Sequence, residues 1–374
     1  MLKGVHLTLM VGPAIPRAAP YEVVEALTSV EVQTKTREAS VFQLQFQIGK
    51  RSLLDEVFML AGLSPVPIIR VVIVATIQGQ PFVLIDGVMT NHQYTPAVRG
   101  QSTLTVTGED LTRMMDFQDF SGLPFPAMPA FARVALILAK YAPLGIIPKV
   151  IPNISTFAPD PTSMVPTQEG TDLEYIRNLA ATSGYEFYIE PLSMPGTSAA
   201  YWGPAIKYGQ PQPALTMDSD AHTNVESLNF QFDQHKRTLP IVMIQEPTSK
   251  LPIPIPVGDI SPLNPPMGKV IPPPTRFQIY RRAANLSFAE AAEQALALAS
   301  RSAELVKANG SLDVMRYGRI LEPRKLVGVR GAGTAFDGTY YVEDVKYRLK
   351  RGEFKQDFTL SRNALVSLTD RVDV

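Results

Sequence analysis

The C-terminal run Phe336–Asn363 constrains the fold more than any other part of the chain. Tyr341, Val345, Tyr347 and Leu349 alternate there with Val342, Asp344, Lys346, Arg348 and Lys350, the period of a half-buried strand. Gly352 supplies a turn, after which Phe354, Phe358 and Leu360 alternate with Lys355, Asp357 and Thr359. The pattern predicts a β-hairpin near the end of the chain.

The first third reads the same way. Phe42, Leu44, Phe46 and Ile48 alternate with Val41, Gln43, Gln45 and Gln47, so one face is apolar and the other mainly amide. Ile68–Ile77 is a β-branched run that Gln78-Gly79-Gln80 turns into Phe82–Asp86, and Ser102–Thr107 sets Leu104 and Val106 among threonines. Short strands separated by turn signals indicate a barrel or sandwich.

The middle third switches to helical spacing. A short helix is expected over Glu109–Met115 and a longer one over Pro129–Tyr141. Thr171 and Glu174 form a capping box at the head of a helix that Gly184 ends, and Tyr185–Ile189 follows as a strand.

Strands return at Val225–Phe232 and Leu239–Gln245. Glu246–Arg276 is then dominated by prolines (Pro252, Pro254, Pro256, Pro262, Pro265, Pro266, Pro272, Pro273, Pro274), which predicts a loop or stiff arm rather than a sheet strand. Ser287–Ala308 reads as a helix with a second capping box at Ser287 and Glu290, an alanine face (Ala289, Ala292, Ala295, Ala299) and Gly310 as its stop. Strands near Val314–Ile320 and Lys325–Val329 lead into the final hairpin. The expected fold is mainly β with an α+β insert. It has a first β-barrel over residues 1–110, the insert over 111–220 and a second β-barrel over 221–374. The arm 246–276 and the helix 287–308 interrupt the second barrel. The two β regions share a plan, since Phe82–Val88 through Ser102–Val106 echoes Tyr340–Val345 through Phe358–Leu360.

Charge and composition narrow the function. Lys+Arg and Asp+Glu both number 35, so the chain lacks the basic excess of a general nucleic-acid binder. No cysteine is present, which removes disulfides, thiolate chemistry and Cys-based metal sites and suits assembly in a bacterial cytoplasm. His6 interrupts the apolar run near the N-terminus and Pro13 ends it, so no signal peptide is expected. Ile68–Ile77 and Phe131–Ile147 contain Arg70, Arg133, Lys140 and Pro143; neither provides a membrane span, and a soluble chain without membrane insertion is expected.

The hairpin Phe336–Asn363 resembles the closing hairpin of the tail-hub proteins of contractile phage tails and related injection machines, the phage late control protein D family. Ser29–Val32 with Phe42–Phe46 looks like the family's opening strands, and Ile85–Thr90 with Ser102–Leu111 looks like the exit of its first barrel. Gln168–Ala180 with Ser183–Tyr188 is similar to its insert-domain helix and strand. Ala200–Gly203 and Asp220–Ser227 look closest to the hubs of extracellular contractile injection systems. The resemblance implies two tube-protein-like barrels, a homotrimer, and a structural role in the baseplate as a symmetry adaptor between a hexameric inner tube and a trimeric spike. The implied partners are the inner tube ring, other baseplate proteins and a spike protein, separate because the sequence stops at Val374 soon after the hairpin. The Pro-rich arm is expected to reach a neighbouring subunit or another baseplate protein. No catalytic, cofactor or metal residue is implied.

Sharper chemistry finds little support. His6, His92, His222 and His235 lack metal-ligand spacing, even with Asp218, Asp220 and Asp233 nearby in sequence. Glu109-Asp110 could be half of a cell-wall hydrolase carboxylate pair, but acidic residues also favour a helix N-terminus. Gly328–Gly333 lacks the Lys-Ser/Thr ending of a phosphate loop. Tyr201 and Trp202 could serve a surface carbohydrate-binding protein as a stacking platform, or be buried. Asn153, Asn285 and Asn309 head sequons that matter only in a eukaryotic secretory pathway.

Overall fold

The computed structural model describes residues 4–13, 15–48, 58, 68–97, 101–153, 165–218, 222–245, 252–259, 264–280 and 288–368. The chain opens with β1 (Val5–Gly12), β2 (Arg17–Ala18), α1 (Tyr21–Ala26), β3 (Leu27–Thr34), β4 (Val41–Ile48), β5 (Arg70–Ile77), β6 (Gln80–Thr95) and β7 (Ser102–Asp110). An α+β unit follows, with α2 (Ala130–Ala139), β8 (Ile146–Val150), α3 (Asp172–Ser183), β9 (Glu186–Pro191) and β10 (Ser198–Gly203). Next come β11 (Gln212–Thr216), β12 (Ser227–Phe232), β13 (Thr238–Gln245), β14 (Pro252–Pro256), β15 (Arg276–Tyr280) and α4 (Phe288–Ser302). The chain closes with β16 (Val306–Asp313), α5 (Val314–Tyr317), β17 (Leu326–Arg330), β18 (Gly338–Lys350) and β19 (Glu353–Arg362).

The alternating patterns become strands for the expected reason. Phe42, Leu44, Phe46 and Ile48 of β4 are buried and point into one apolar core. Gln78 and Gly79 both take left-handed backbone angles (φ 49 and 81), as a two-residue hairpin turn requires.

The N-terminal strands pair in the order β3-β4-β7-β6-β5-β1, and the C-terminal ones in the order β12-β16-β19-β18-β17-β11. Numbered by first appearance within each half, both orders read 2-3-6-5-4-1. The two differ in one direction: β1 runs antiparallel to β5, whereas β11 runs parallel to β17. β11 lies within the span expected for the insert, yet its hydrogen bonds go to the C-terminal sheet. The halves join where β3 pairs with β18, and their inward faces share one hydrophobic core.

The closing hairpin forms, but its phase is not uniform. A β-bulge falls between Val342 and Asp344 of β18. Before it Tyr340 and Val342 face the main core, and after it Val345, Tyr347 and Leu349 do. One extra residue reverses every later side chain, so Tyr341 packs on the other face with Met267 and Leu326. Simple alternation grouped Tyr341 with Val345, and the structure corrects that.

The α+β unit has the three-stranded sheet β8-β10-β9. Thr171 caps α3 and Glu174 returns the bond, while Gly184 closes the helix in the left-handed region. The short helical turn lies at Leu111–Met115, because β7 continues to Asp110 and Asp110 itself is the N-cap.

Three expectations are corrected in the last third. Pro252–Pro256 is a sheet strand, paired with β13, and not a loop. Its prolines alternate with Ile253 and Ile255, and β14 lies at the edge of β14-β13-β15, the position where proline is tolerated. The helix ends at Ser302 rather than Ala308, because 306–313 is a strand. Gly310, read as a helix stop, sits mid-strand where a Cβ would meet the Phe358 ring at 2.6 Å. Val314–Tyr317 is a helical turn rather than a strand, capped by Asp313. The Ser287–Glu290 capping box lies outside the described residues.

The Pro-rich segment also returns to its own chain. Asn363 accepts from the Met267 amide and donates to the Pro265 carbonyl, and Arg362 donates to the Met267 carbonyl. Val270 bridges to Leu365. Residues 265–270 of the segment are thereby held against the C-terminal half.

Candidate functional site

Two features stand out: a continuous polar sheet face and a cluster of buried charges joining the units. The polar face follows from strand parity, because the residues between the core positions all emerge on one side. Arg348, Glu31, Gln43, Thr107 and Asn91 lie opposite one another in sequence across β18-β3-β4-β7-β6. Ser227, Ser311, Asp357, Lys346 and Gln33 form a second row across β12-β16-β19-β18-β3. The N-terminal half supplies mainly amides and hydroxyls, and the C-terminal half supplies balanced charge. Lys346 lies 2.8 Å from Glu31, Arg348 donates to Asp357 at 2.7 Å, and Lys355 lies 2.8 Å from Glu226. Such partly exposed pairs add little stability each; they leave the face wetted.

The buried charges fasten the units together. Arg70 of β5 makes a two-pronged bond to Asp86 of β6, both at 2.7 Å, and also donates to the Gly196 carbonyl of the α+β unit. A second cluster gathers Arg37 from the β3–β4 loop, Glu186 of β9, Lys207 after β10, Glu304 after α4 and Glu343 of β18. Glu304 lies 3.2 Å from both Lys207 and Arg37, and Lys207 also donates to Asn264 of the Pro-rich segment at 3.2 Å. Tyr341 donates to Glu186 at 3.3 Å.

Burial opposes the charge of Glu304, but Lys207 and Arg37 outweigh it and hold its carboxyl at about 2. Burial and the neighbouring Glu304 raise Glu343. Burial pushes Glu186 up to about 6 against the pull of Arg37. The folded chain thus binds a proton at Glu186 more tightly than the unfolded chain, whose carboxyl titrates near 4.5. This contribution is complete below 4.5 and is lost as pH rises through about 6. Glu186→Gln is expected to stabilise the protein at pH 7 by on the order of 2 kcal/mol. Its advantage should shrink as pH falls below about 6, measured as denaturant midpoints across this range. An advantage independent of pH would contradict the assignment.

The residues singled out for chemistry do not converge. His6, His92, His222 and His235 are all exposed on separate elements, and among the described residues no group of three possible ligands could hold a metal. Asp110 is 3% exposed and takes the Ser40 amide at 2.6 Å and the Thr112 amide at 3.0 Å. It clasps the end of β7 rather than facing a cleft. Gly328–Gly333 is the end of β17 and its turn. Trp202 is fully buried against Tyr185, and Tyr201 stacks on Tyr188 at 5.0 Å; neither offers a platform for a sugar. Asn153 is buried and donates to Glu293 at 3.0 Å. The ion pairs were not singled out in the sequence, and only the proximity of Arg70 and Asp86 on adjacent strands could have signalled one.

No family model matches the sequence, and no curated protein matches it. Solved structures do. A tail protein from Neisseria meningitidis MC58 superposes with a TM-score of 0.63 at 15% identity, covering 96% of this chain and 97% of that one. The 43 kDa tail protein of prophage MuSo2 from Shewanella oneidensis gives 0.61 at 13% identity, covering 96% and 98%. An E. coli component of the type VI secretion system, described as structurally similar to bacteriophage T4 tail proteins, gives 0.52 at 12% identity, covering 90% of this chain and 73% of that one. Over nearly its whole length this chain has the fold of phage tail proteins, the fold implied by its resemblance to the tail-hub family.

Proposed function

We propose that the chain is a structural hub of a phage tail or contractile injection system, a homotrimer joining a hexameric inner tube to a trimeric spike. One observation carries the reading: the strand order 2-3-6-5-4-1 occurs twice in one chain, and the two copies are fused edge to edge through β3 and β18. A sixfold ring can sit on a threefold one only if each of three subunits offers two near-equivalent surfaces. Two copies of one strand plan in each of three chains supply six. The continuous polar face would line the central channel, and the ends of the two six-stranded units would receive the first tube ring.

The role is mechanical: to seed tube growth and carry contraction force along the axis. No chemical step is proposed, and the partners are the tube ring, the spike and other baseplate proteins, with assembly in the bacterial cytoplasm. Mass photometry of the purified chain should give three times the 41.0 kDa chain mass. A stable monomer at assembly-level concentration would count against the reading.

A further inference from the structure

The two halves agree in strand order, yet they differ in what covers one strand edge. β18 is long enough to serve two neighbours on the same side. Its first residues pair with β17, and Val345–Lys350 then pair with β3. β6 is the corresponding strand of the N-terminal half. Its first part pairs with β5 as far as Val88, but among the described residues no strand pairs with the same side of Thr90–Thr95. β12 corresponds to β3, and among the described residues it pairs only with β16. Among the described residues, the β6 and β12 edges are therefore the two open ends of a junction that is closed once, within the chain, between β18 and β3.

We propose that the outer half of β6 pairs antiparallel with β12 of a second copy of this chain. The internal junction gives the register. Thr90, the extra residue between Met89 and Asn91, matches Glu343, the extra residue between Val342 and Asp344. Alignment on these bulges places His92, Gln93, Tyr94 and Thr95 on Val345, Lys346, Tyr347 and Arg348. The pair Gln43–Thr107 then corresponds to Asn309–Thr359, and Glu31 to Asn229. Since Lys346 faces Gln33 and Tyr347 faces Val32, Gln93 faces Gln231 of the partner subunit and Tyr94 faces Phe230 of the partner subunit. By the same step His92 faces Phe232 of the partner subunit.

Exposure supports this independently. At the closed junction Tyr347 and Thr34 are 1% and 7% exposed, whereas their counterparts at the open edges, Tyr94 and Phe232, are 44% and 36% exposed. Large side chains of core parity standing in water at both edges are what a broken junction leaves behind. Closing it would also extend the polar rows, with Gln93 beside Gln231 of the partner subunit in the row that Lys346 and Gln33 occupy within the chain. The pairing itself rests on the internal repeat; only the number of copies rests on the hub reading.

The absence of native cysteine makes the register testable. In the double variant Gln93→Cys/Gln231→Cys, oxidation should give a ladder on non-reducing gels that ends at a covalently closed trimer. Gln93→Cys/Ser227→Cys moves one thiol four residues along β12, beyond the ~7 Å Cα separation that a disulfide spans, and should cross-link about tenfold less. Tyr94→Asp should leave a folded monomer by circular dichroism and mass photometry. A ladder closing at another number would keep the edge pairing and overturn the trimer. A trimer by mass with no Gln93–Gln231 cross-link would overturn the edge pairing and leave the hub reading standing. A monomer without cross-links would overturn the edge pairing.

Discussion

Asp86→Ala is expected to destabilise the protein by about 3–5 kcal/mol, the cost of leaving a buried charge without its partner. Asp86 is 2% exposed and holds the buried Arg70 guanidinium by two bonds of 2.7 Å each. Without it, Arg70 keeps the Gly196 carbonyl but has lost its counter-charge on the β5–β6 sheet. The same change loosens the seat of the α+β unit, because Arg70 reaches that unit through Gly196 and Ser198 lies 3.4 Å from Asp86. A shift of the first denaturant transition and faster proteolysis of that unit are expected together. Arg70→Met/Asp86→Leu should recover most of the loss, since an apolar pair of similar volume avoids both desolvation penalties. If Asp86→Ala costs less than about 1 kcal/mol, a value typical of exposed pairs, the buried bond does not hold the units.

Glu304→Ala is the second large effect, again about 3–5 kcal/mol. Glu304 is 3% exposed and faces Lys207, 7% exposed, and the half-exposed Arg37. Removing it leaves Lys207 its bond to Asn264 and leaves Arg37 with the more distant charges of Glu186 and Glu343. The cluster draws on the N-terminal half, the α+β unit, the Pro-rich segment and the C-terminal half, so its loss should separate units that otherwise unfold together. Its pH dependence has the opposite sign to that of Glu186. A carboxyl held at about 2 in the folded chain contributes stability that is present above 4.5 and is lost as pH falls toward 2. Wild-type protein should therefore weaken in acid more steeply than Glu304→Ala, whose loss has already been taken. Parallel acid profiles for the two would contradict this.

Much of the fold was legible because strands with one wet face announce themselves. Phe42 to Ile48 and Phe354 to Leu360 alternate without interruption, and the Thr171–Glu174 box and Gly184 marked α3 at both ends. The misreadings share a physical origin. A bulge adds one residue without any change in composition, so the reversal at Glu343 that turns Tyr341 away from Val345 left no trace in the alternation. Prolines at every second position can occupy an edge strand, which made Pro252–Pro256 resemble a loop. The alanines before Ser302 continue into Ala303 and Ala308, so helix and strand share a vocabulary there. The buried ions were the least legible, since Lys207 and Glu304 stand 97 residues apart and meet only when the units pack. The edges of β6 and β12 that no described strand covers are a property of pairing, which the composition of a strand does not record.

The central claim is that one chain carries two equivalent surfaces so that three chains can meet a sixfold tube. A reconstruction of the assembled particle tests it most directly. The account predicts three copies of this chain on the axis, between tube and spike, with each of the two six-stranded units seated against one subunit of the first tube ring. Six copies at that level, or a position in the sheath, fibres or cap, would contradict it.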